Sequence, residues 1–375
     1  MSFQQSNIRI FLKRSWIVMA SVCLLPSLVL AVETNTIQKI KQPVEVDAGK
    51  KEAGSATENR KIEDARQQIF IDNLVTKYRL DGAQIKKWLN EARKKQSIIN
   101  AMNRPAEGVL SWKKYRKIFM TKKRVHQGIE FWKKYKSDLD RAEKKYGVPA
   151  EMIVSIIGIE TFYGRIKGNY RVLDALYTLA FHYPKRGKFF RSELGQFFRL
   201  TQQQQWQPDS KIGSYAGAMG YGQFMPSSYL AYGVDFDNDG KVDLIDNPVD
   251  AIGSVANYFK KHGWVTGDKV VSRAHLINWQ ASKKAGRSTR LNYKYKDLQQ
   301  SGVVTKDKLS DNTEVSLMVF DQETHKEYWM GLKNFYVISR YNRSHMYSMV
   351  AYQLSQKLKK KFNQLTKHKK NNNKK

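Results

Sequence analysis

The sequence contains very little cysteine: Cys23 is the only one among 375 residues. It lies in the apolar run Trp16–Leu30, which follows three basic residues and no acidic one. This pattern, ending in small residues up to Ala31, predicts a secretory signal peptide over residues 1–31 that is removed after Ala31. The remaining chain then has no thiol and no disulfide, so its stability must come from core packing or from a metal.

A membrane span or a lipid anchor is not expected at this N-terminus. The apolar run is short and is interrupted by Ser21 and Ser27, so it is a poor bilayer-spanning segment. A lipoprotein anchor at Cys23 is not favoured either, because Val22 is larger than the residue that usually precedes such a cysteine. We therefore expect export to the periplasm, with outer-membrane association as the alternative that a lipidated Cys23 would bring.

Acidic residues are scarce relative to basic ones, since 66 Lys and Arg face 34 Asp and Glu and the formal net charge is +32. Segment 1–31 accounts for only three of these charges. Such a charge indicates anionic surroundings: nucleic acid, lipid headgroups or an anionic wall polymer. The lysines are scattered and no nucleic-acid motif occurs, so no nucleic-acid partner is expected. A general preference for lysine in the source genome is the alternative explanation.

Several common catalytic motifs are also missing. The sequence has no GxSxG, HExxH or P-loop pattern, and its histidines have no metal-ligand spacing. It has no internal repeat. The chemistry must therefore be sought in carboxylates, glycine-rich strings and aromatic residues.

Composition and hydrophobic periodicity divide the chain into seven segments. The predicted organisation is a signal peptide (1–31), a flexible tether (32–60), a helical domain (61–144), a central core (145–264), a small mixed α/β domain (265–318), a C-terminal strand and helix that return to the core (319–360), and a basic disordered tail (361–375). Within the last two segments, Tyr328–Ser339 alternates like a strand and His345–Leu358 looks helical. The fold class is therefore mainly α, with a small strand-containing part.

The stretch Tyr146–Gly164 places one acid on an apolar helix. Pro149 suits the first helical position, and Ile153, Ile156 and Ile157 recur at helical spacing on the face that also carries Glu160. Near the C-terminal end of this helix, the helix dipole and the apolar surroundings both disfavour a carboxylate, so the pKa of Glu160 is expected to be raised, as a general acid requires. The alternative is a glutamate paired with a buried Arg or Lys.

The stretch Asp235–Asp246 resembles a calcium-binding loop. Asp235, Asp237 and Asp239 occupy positions one, three and five of the EF-hand pattern, with Gly240 at six and Lys241 at seven. The closing ligand is either Asp246 at position twelve, in place of the usual Glu, or the later Asp250. No clear helix is expected before Asp235. We predict one structural Ca²⁺, and the alternative is a solvated turn rich in aspartates.

A glycine-rich stretch and a set of tyrosines complete the chemically informative residues. Gly213–Pro226 has four glycines, which allow close backbone approach or positive φ angles. Most aromatic residues at helical spacing are core residues, whereas tyrosines with polar or glycine neighbours are better placed to line an exposed sugar-binding groove. These tyrosines are Tyr115, Tyr170, Tyr221, Tyr258 and Tyr341.

These strings together resemble the B-type lytic murein transglycosylases. The resemblance rests on ETFYG at Glu160–Gly164, GAMGYGQFMP ending at Pro226, AIGSVANYF at Ala251–Phe259, and YNRS at Tyr341–Ser344. It covers roughly residues 61–358. It implies a lysozyme-like catalytic core flanked by an N-terminal helical domain and a small domain with strands. The implied activity is cleavage of the β-1,4 bond between MurNAc and GlcNAc in peptidoglycan without water, which leaves 1,6-anhydro-MurNAc ends.

By position, the resemblance makes Glu160 the catalytic acid and base and the acidic loop a single calcium site. It implies the following substrate-binding residues: Tyr115, Lys185, Arg186, Ser214, Gln223, Tyr258, Tyr341 and Asn342. In the family the calcium loop closes on a later Asp, which favours Asp250 over Asp246. The implied partner is peptidoglycan, the enzyme is expected to be a monomer, and the basic tail is a further contact for wall or outer membrane.

The mechanism expected from the sequence uses a single carboxylate. A conventional glycosidase needs two, and no second acid has a placement comparable to that of Glu160. Glu160 would first protonate the glycosidic oxygen and then accept the proton of the C6 hydroxyl. The alternatives are a hydrolytic muramidase on the same fold, a non-catalytic wall-binding protein, and polyanion binding through the tail.

Overall fold

The computed structural model describes residues 48–104 and 110–372. The signal peptide, Cys23, the first part of the tether and residues 373–375 lie outside the described residues. Within these ranges, the N-terminal part contains six α-helices: α1 (Ala48–Tyr78), α2 (Gly82–Glu91), α3 (Gln96–Met102), α4 (Trp112–Phe119), α5 (Lys122–Lys134) and α6 (Lys136–Tyr146). Asp81 and Thr121 cap α2 and α5 by accepting backbone N–H groups, which fixes where these helices begin.

The central part surrounds one fully buried helix. Its elements are α7 (Ala150–Thr161), β1 (Tyr170–Arg171), α8 (Val172–His182), a 3-10 turn (Pro184–Arg186), α9 (Gly187–Gln203), β2 (Ile212–Gly213), α10 (Pro226–Tyr232) and α11 (Pro248–Lys261). All twelve residues of α7 are buried. A helix that is apolar all round belongs in the interior of a domain, and α7 is that interior helix here.

The C-terminal part contains a sheet and two further helices. Its elements are β3 (Val271–Leu276), a 3-10 turn (Gln280–Lys284), β4 (Tyr293–Lys294), α12 (Tyr295–Gln300), β5 (Val303–Val304), β6 (Glu314–Asp321), β7 (Lys326–Gly331), α13 (Lys333–Tyr341) and α14 (His345–Asn372). The five strands pair antiparallel in the order β4-β6-β7-β3-β5. Helix α14 then packs along α7, and the hydroxyl of Ser155 donates to the carbonyl of Ala351 at 2.7 Å.

One large apolar core joins the N-terminal and central helices with α13 and α14. It extends from Phe70 through Ile156 to Leu358, while the sheet has a smaller core of its own around Leu317 and Met330. In the part of the chain that the structure describes, no helix is long and apolar enough to cross a membrane. The mainly α fold with a small sheet matches the fold class expected from the sequence.

Two segments that the sequence analysis assigned to flexible chain are helical. Helix α1 begins at Ala48, inside the expected tether 32–60, and α14 continues to Asn372, inside the expected disordered tail 361–375. Residues 48–60 contain no large apolar residue, and residues 361–372 contain only Phe362 and Leu365, so neither segment has an apolar repeat that periodicity could detect. Neither segment contains proline, and Phe362 stacks on Trp132 at 4.3 Å, which holds the second segment against α5.

The expected boundary at 318/319 and the expected strand Tyr328–Ser339 are also wrong. The boundary cuts β6, whose residues Ser316–Asp321 pair with Lys326–Gly331 of β7. Strand β7 ends at Gly331, and α13 begins two residues later. Periodicity alone does not distinguish a strand from a buried helix in a short apolar run. In the structure this run is helical, and Phe335 and Ile338 lie on its buried side.

Candidate active site

Glu160 lies in the last turn of α7, with 9% of its surface exposed. The helix ends directly after it, because Phe162 and Tyr163 both have positive φ angles. The hydroxyl of Tyr347, in the first turn of α14, donates a hydrogen bond of 2.5 Å to Oε1 of Glu160. The apolar helix therefore carries a buried carboxylate whose orientation is fixed from a distant part of the chain.

Tyr347 is surrounded by the other polar groups of the site. Burial raises the pKa of Tyr347, and the nearby Glu160 carboxylate and the Tyr341 and Tyr115 hydroxyls raise it further. Tyr347 therefore stays protonated and remains a hydrogen-bond donor. The same interactions show that four helices, α4, α7, α13 and α14, bring Tyr115, Glu160, Tyr341 and Tyr347 together.

Tyr258 on α11 and Tyr341 on α13 form a packed aromatic wall, and Tyr115 on α4 packs on aromatic rings of its own helix. Tyr341 meets Tyr258 edge to face at 4.8 Å, and Tyr258 stacks on His262 at 4.0 Å. The hydroxyl of Tyr341 donates to the carbonyl of Gly222, and that of Tyr258 donates to the carbonyl of Arg340. Tyr115 is only 1% exposed, and its ring packs on Phe119. Tyr115 and Tyr258 are therefore too buried to be the exposed stacking platforms that the sequence suggested.

The glycine-rich stretch approaches the end of α7 closely. The hydroxyl of Thr161, next to Glu160, donates to the carbonyl of Tyr221 at 2.8 Å and accepts the N–H of Gly164 at 2.9 Å. Gly164 has φ +84°, and a Cβ there would lie 2.0 Å from the ring of Tyr221. Gly220 has φ +72°, and a Cβ there would lie 2.0 Å from the carbonyl oxygen of Leu244. Only glycine permits these two approaches.

Two predicted substrate-binding residues stabilise this glycine-rich loop. The Ser214 Oγ accepts the backbone N–H groups of Ala216 and Ala218, at 3.3 and 3.0 Å. Gln223 has a positive φ of 50°, and its Nε2 donates to the carbonyls of Lys167 and Gly220 at 3.1 and 3.0 Å. Both side chains therefore hold the backbone of the loop in its shape beside Glu160.

The acidic loop lies between α10 and α11, so a helix does precede Asp235, contrary to the sequence expectation. Helix α10 has only seven residues, so it is too short to give a clear periodic signal in the sequence. Gly240 has φ +87°, as a tight loop requires. Carboxylate oxygens of Asp235, Asp237 and Asp250 lie within 4.8 Å of one another. This donor set is made only of oxygens, which are the ligands that Ca²⁺ prefers.

Asp250 and Asp246 have different surroundings. Asp250 is buried, and its two oxygens accept the N–H groups of Phe236 and Asp243, each at 2.7 Å. Burial raises the pKa of Asp250, and the neighbouring Asp237 and Asp235 carboxylates raise it further. Asp246 instead faces Lys167, whose Nζ lies 2.9 Å from it. The structure thus brings Asp250, and not Asp246, to the other two acids.

Asp239 and Lys241 take part in the backbone hydrogen bonds of the loop, and the Asp239 carboxylate is not among the three that converge. The N–H of Lys241 donates to the Asp239 carboxylate at 2.9 Å, and the N–H of Asp239 donates to Asp235 at 3.1 Å. These bonds close the turn of the loop. Of the six residues expected at the metal, three therefore have converging carboxylates.

A model of the transglycosylase SLT domain family matches residues 63–356. The chain belongs to this family of lytic transglycosylases. It is 44% identical over 299 residues to the membrane-bound lytic murein transglycosylase B of Escherichia coli, covering 77% of this chain and 81% of that one. The enzyme is thus a lytic transglycosylase that cleaves peptidoglycan.

Solved structures of lytic transglycosylases share its fold. The catenated lytic transglycosylase SltB1 from Pseudomonas aeruginosa is 49% identical, with a TM-score of 0.77, over 79% of this chain and 98% of that one. The lytic transglycosylase Slt35 from Escherichia coli, solved in complex with calcium, is 44% identical, with a TM-score of 0.71, over 78% of this chain and 92% of that one.

The remaining predicted residues of the transglycosylase lie at two turns. Lys185 and Arg186 form the 3-10 turn between α8 and α9, where the Arg186 guanidinium lies 4.4 Å over the ring of Phe189. Asn342 ends α13, and its Oδ1 accepts the N–H of Ser344 at 3.0 Å. Asn342 therefore shapes the turn that leads into α14 and hence to Tyr347.

Tyr347 and Thr161 are the site residues of the enzyme that the sequence analysis missed. Thr161 directly follows Glu160, so its position next to the acid was the available signal. Tyr347 lies 187 positions from Glu160 along the chain. The signal for Tyr347 in the sequence was weaker, because it lies just after the YNRS string on a helix whose other apolar residues are core residues.

Proposed function

We propose that the transglycosylase uses Glu160 alone as acid and then base, and that it releases 1,6-anhydro-MurNAc ends from peptidoglycan. The observation that carries this proposal is a buried carboxylate on an apolar helix whose Oε1 accepts the Tyr347 hydroxyl. Burial and the C-terminal end of α7 favour the protonated form, whereas the hydrogen bond from Tyr347 favours the carboxylate. These opposing influences suit a group that must give a proton and then take one.

The other buried acids of the described residues support a single catalytic carboxylate, because each has its own partners. Asp174 accepts the N–H of Arg93, and Glu151 pairs with Lys359 at 2.8 Å. Glu193 accepts both the N–H and the hydroxyl of Ser227, and Asp250 accepts two N–H groups in the acidic loop. A second acid for a two-carboxylate hydrolysis would have to leave these partners.

The proposed reaction conserves the atoms of the sugar chain. Protonated Glu160 donates to the glycosidic oxygen, so the bond from MurNAc C1 to that oxygen breaks while the substrate's N-acetyl group or the dipoles of the groove support the cation. The Glu160 carboxylate then takes the proton of the C6 hydroxyl, whose oxygen bonds to C1. No water is added, and the Glu160 proton is restored. Water must be kept out during the second step, and the packed tyrosine wall and the glycine-rich loop would restrict its access.

We propose further that Tyr115, Ser214, Gln223, Tyr258, Tyr341 and Asn342 shape the groove for the glycan, and that Lys185 and Arg186 meet the peptide side of the substrate. Tyr347 would be a positioning residue, since it acts through Glu160. The proximity of Tyr115 and Tyr341 to Tyr347 supports the first part of this assignment. The second part of the assignment is supported by the exposure of Lys185 and by its position on the 3-10 turn.

We propose one structural Ca²⁺ in the acidic loop, held by Asp235, Asp237 and Asp250. The convergence of the three carboxylates and the calcium complex of the related Slt35 support this. Bound there, the ion would neutralise the acids and fix the connection between α10 and α11. We also propose that residues 1–31 direct export, since murein lies outside the cytoplasmic membrane.

Mass spectrometry of purified peptidoglycan after incubation with the enzyme tests the reaction. Muropeptides lighter than the hydrolytic products by one water are expected. Reducing ends instead of anhydro ends would refute the single-carboxylate mechanism in favour of a hydrolytic muramidase. A folded enzyme that binds peptidoglycan without releasing any product would refute the catalytic assignment as well.

A further inference from the structure

The loop after β3 exposes two large apolar side chains close together. Ile277 is 70% exposed and Trp279 is 65% exposed, and no other large apolar residue of the described chain is as exposed as these two. Single exposed apolar residues are ordinary on protein surfaces. Two of them separated by one residue, including a tryptophan, make a local apolar patch on the small sheet domain.

Backbone hydrogen bonds hold this patch in place. The N–H of Ile277 donates to the carbonyl of Gly302 at 2.8 Å, and the N–H of Ala281 donates to Oδ1 of Asn278 at 2.9 Å. The N–H of Ser282 donates to the carbonyl of Trp279 at 3.0 Å. The side chain of Ala281 is fully buried in the core of the sheet domain. The two exposed side chains are therefore presented by a well-anchored loop.

Two basic residues follow the patch directly. Lys283 and Lys284 lie in the 3-10 turn after Trp279, and residues 277–284 contain no Asp or Glu. The ammonium group of Lys283 lies 4.3 Å from the centre of the Trp279 ring. An apolar tip beside basic residues is complementary to an anionic lipid surface, where tryptophan prefers the interfacial region and nearby Lys and Arg residues add electrostatic attraction.

A glycan is the less suitable occupant for Trp279. A sugar ring stacks on an open aromatic face, and Lys283 covers one face of this indole. An uncharged sugar ring would also gain nothing from the charges of Lys283 and Lys284. An anionic bilayer uses both features of the loop.

We propose that the patch formed by Ile277 and Trp279, together with Lys283 and Lys284, docks the sheet domain on an anionic phospholipid bilayer. The docking surface is separate from the groove around Glu160, which α4, α7, α13 and α14 build. It therefore does not depend on the reaction mechanism proposed above. Its effect would be to hold the enzyme at the membrane surface through a second contact besides any N-terminal anchor.

Sedimentation with lipid vesicles tests the proposal. The processed enzyme is mixed with vesicles of phosphatidylcholine and phosphatidylglycerol in a 3:1 ratio, and with vesicles of phosphatidylcholine alone. Wild type is expected to bind the anionic vesicles. The double variant Ile277→Ser/Trp279→Ser is expected to bind them about tenfold more weakly, and Lys283→Gln/Lys284→Gln a few-fold more weakly, with less sensitivity to salt. All variants carry the same N-terminus, so its contribution cancels.

Two matched controls keep the test specific. Ile69→Ser removes a comparably exposed isoleucine, 62% exposed, from α1, and Lys122→Gln/Lys123→Gln removes a tandem lysine pair from α5. Both controls are expected to bind like wild type, and thermal unfolding checks that every variant is folded. Equal binding by wild type and the Ile277/Trp279 variant would overturn the proposal. Equal loss in the controls, or loss of binding to lipid-free peptidoglycan rather than to vesicles, would also overturn it.

Discussion

The end of α7 and the loop between α10 and α11 both place carboxylates against buried structure, but they do so in opposite ways. At the end of α7, Glu160 is held by a neutral hydroxyl, that of Tyr347. In the loop, carboxylate oxygens of Asp235, Asp237 and Asp250 lie within 4.8 Å of one another. The same chemical group thus accepts a hydroxyl at the end of a buried helix in one region and is clustered with like charges in the other.

The difference shows how surroundings decide what a carboxylate can do. A buried carboxylate in apolar surroundings lowers its desolvation cost by taking a proton, which allows it to act as an acid. Clustered carboxylates repel one another, and a bound divalent cation reduces that repulsion. We therefore expect the first region to respond to pH and to substitutions that alter proton transfer, and the second to respond to chelation.

The largest expected effect comes from Glu160→Gln, which keeps the shape of the side chain but removes the transferable proton. The rate of muropeptide release is expected to fall roughly a thousandfold. Glu193→Gln is the matched control, because Glu193 is equally buried but bonds to Ser227. The Glu193 variant should have lower thermal stability than wild type, but the folded enzyme should have the same specific activity. Equal activity in the Glu160 variant would remove Glu160 from the mechanism.

The next effect concerns the acidic loop and is measured as the Ca²⁺-dependent change in melting temperature. Calcium at a hundredfold excess over its Kd should stabilise the wild-type enzyme by about 3 kcal/mol, and a chelator should remove this. Asp250→Asn should abolish the calcium dependence, whereas Asp246→Asn should retain it, since Asp246 faces Lys167. A calcium response that disappears in the Asp246 variant but not in the Asp250 variant would reverse the assignment of the closing ligand.

A smaller effect is expected for Tyr347→Phe, which removes the hydrogen bond to Glu160. The activity should fall about tenfold, as for the loss of one hydrogen bond to a charged group. That bond orients the carboxylate, so its loss should lower kcat while KM changes little. Tyr352→Phe on the same helix is the control, and an unchanged kcat in the Tyr347 variant would contradict the positioning role.

The smallest effect is expected for Thr161→Val, which removes the hydroxyl between α7 and the glycine-rich loop. The lost bonds to Tyr221 and Gly164 should cost about 1–2 kcal/mol in the free energy of unfolding. Denaturant unfolding measures this cost. Activity at saturating substrate should change less than in the Tyr347 variant. A large loss of activity without a loss of stability would show that Thr161 takes part in the reaction and does not only support the loop.

Local signals made much of the fold predictable. Pro149, the spaced isoleucines and Gly164 predicted a helix that the structure shows as Ala150–Thr161. Errors arose where local signals were weak or ambiguous. The polar helical ends of α1 and α14 lack an apolar stripe, and Tyr328–Ser339 contains a strand and a helix with no turn motif between them.

The acids of the candidate site were predictable, but their surroundings were not. Glu160 stood out as a charge on an apolar face, and the spacing of Asp235, Asp237 and Asp239 stood out as a loop pattern. Spacing alone could not choose between Asp246 and Asp250, because the choice depends on how α11 turns toward the loop. It also gave no reason to expect that Tyr115 and Tyr258 are buried.

The sequence by itself determined which residues are chemically unusual: a glutamate within an apolar helix, aspartates around a glycine, and glycines where backbones must meet. Those features are local, and they follow from helix periodicity and loop stereochemistry. The tertiary structure alone decided that Tyr347 donates to Glu160, that Asp250 joins Asp235 and Asp237, and that Asp246 faces Lys167. Each of these contacts joins separate elements, so its formation depends on how the helices pack and not on the spacing of residues within any one of them.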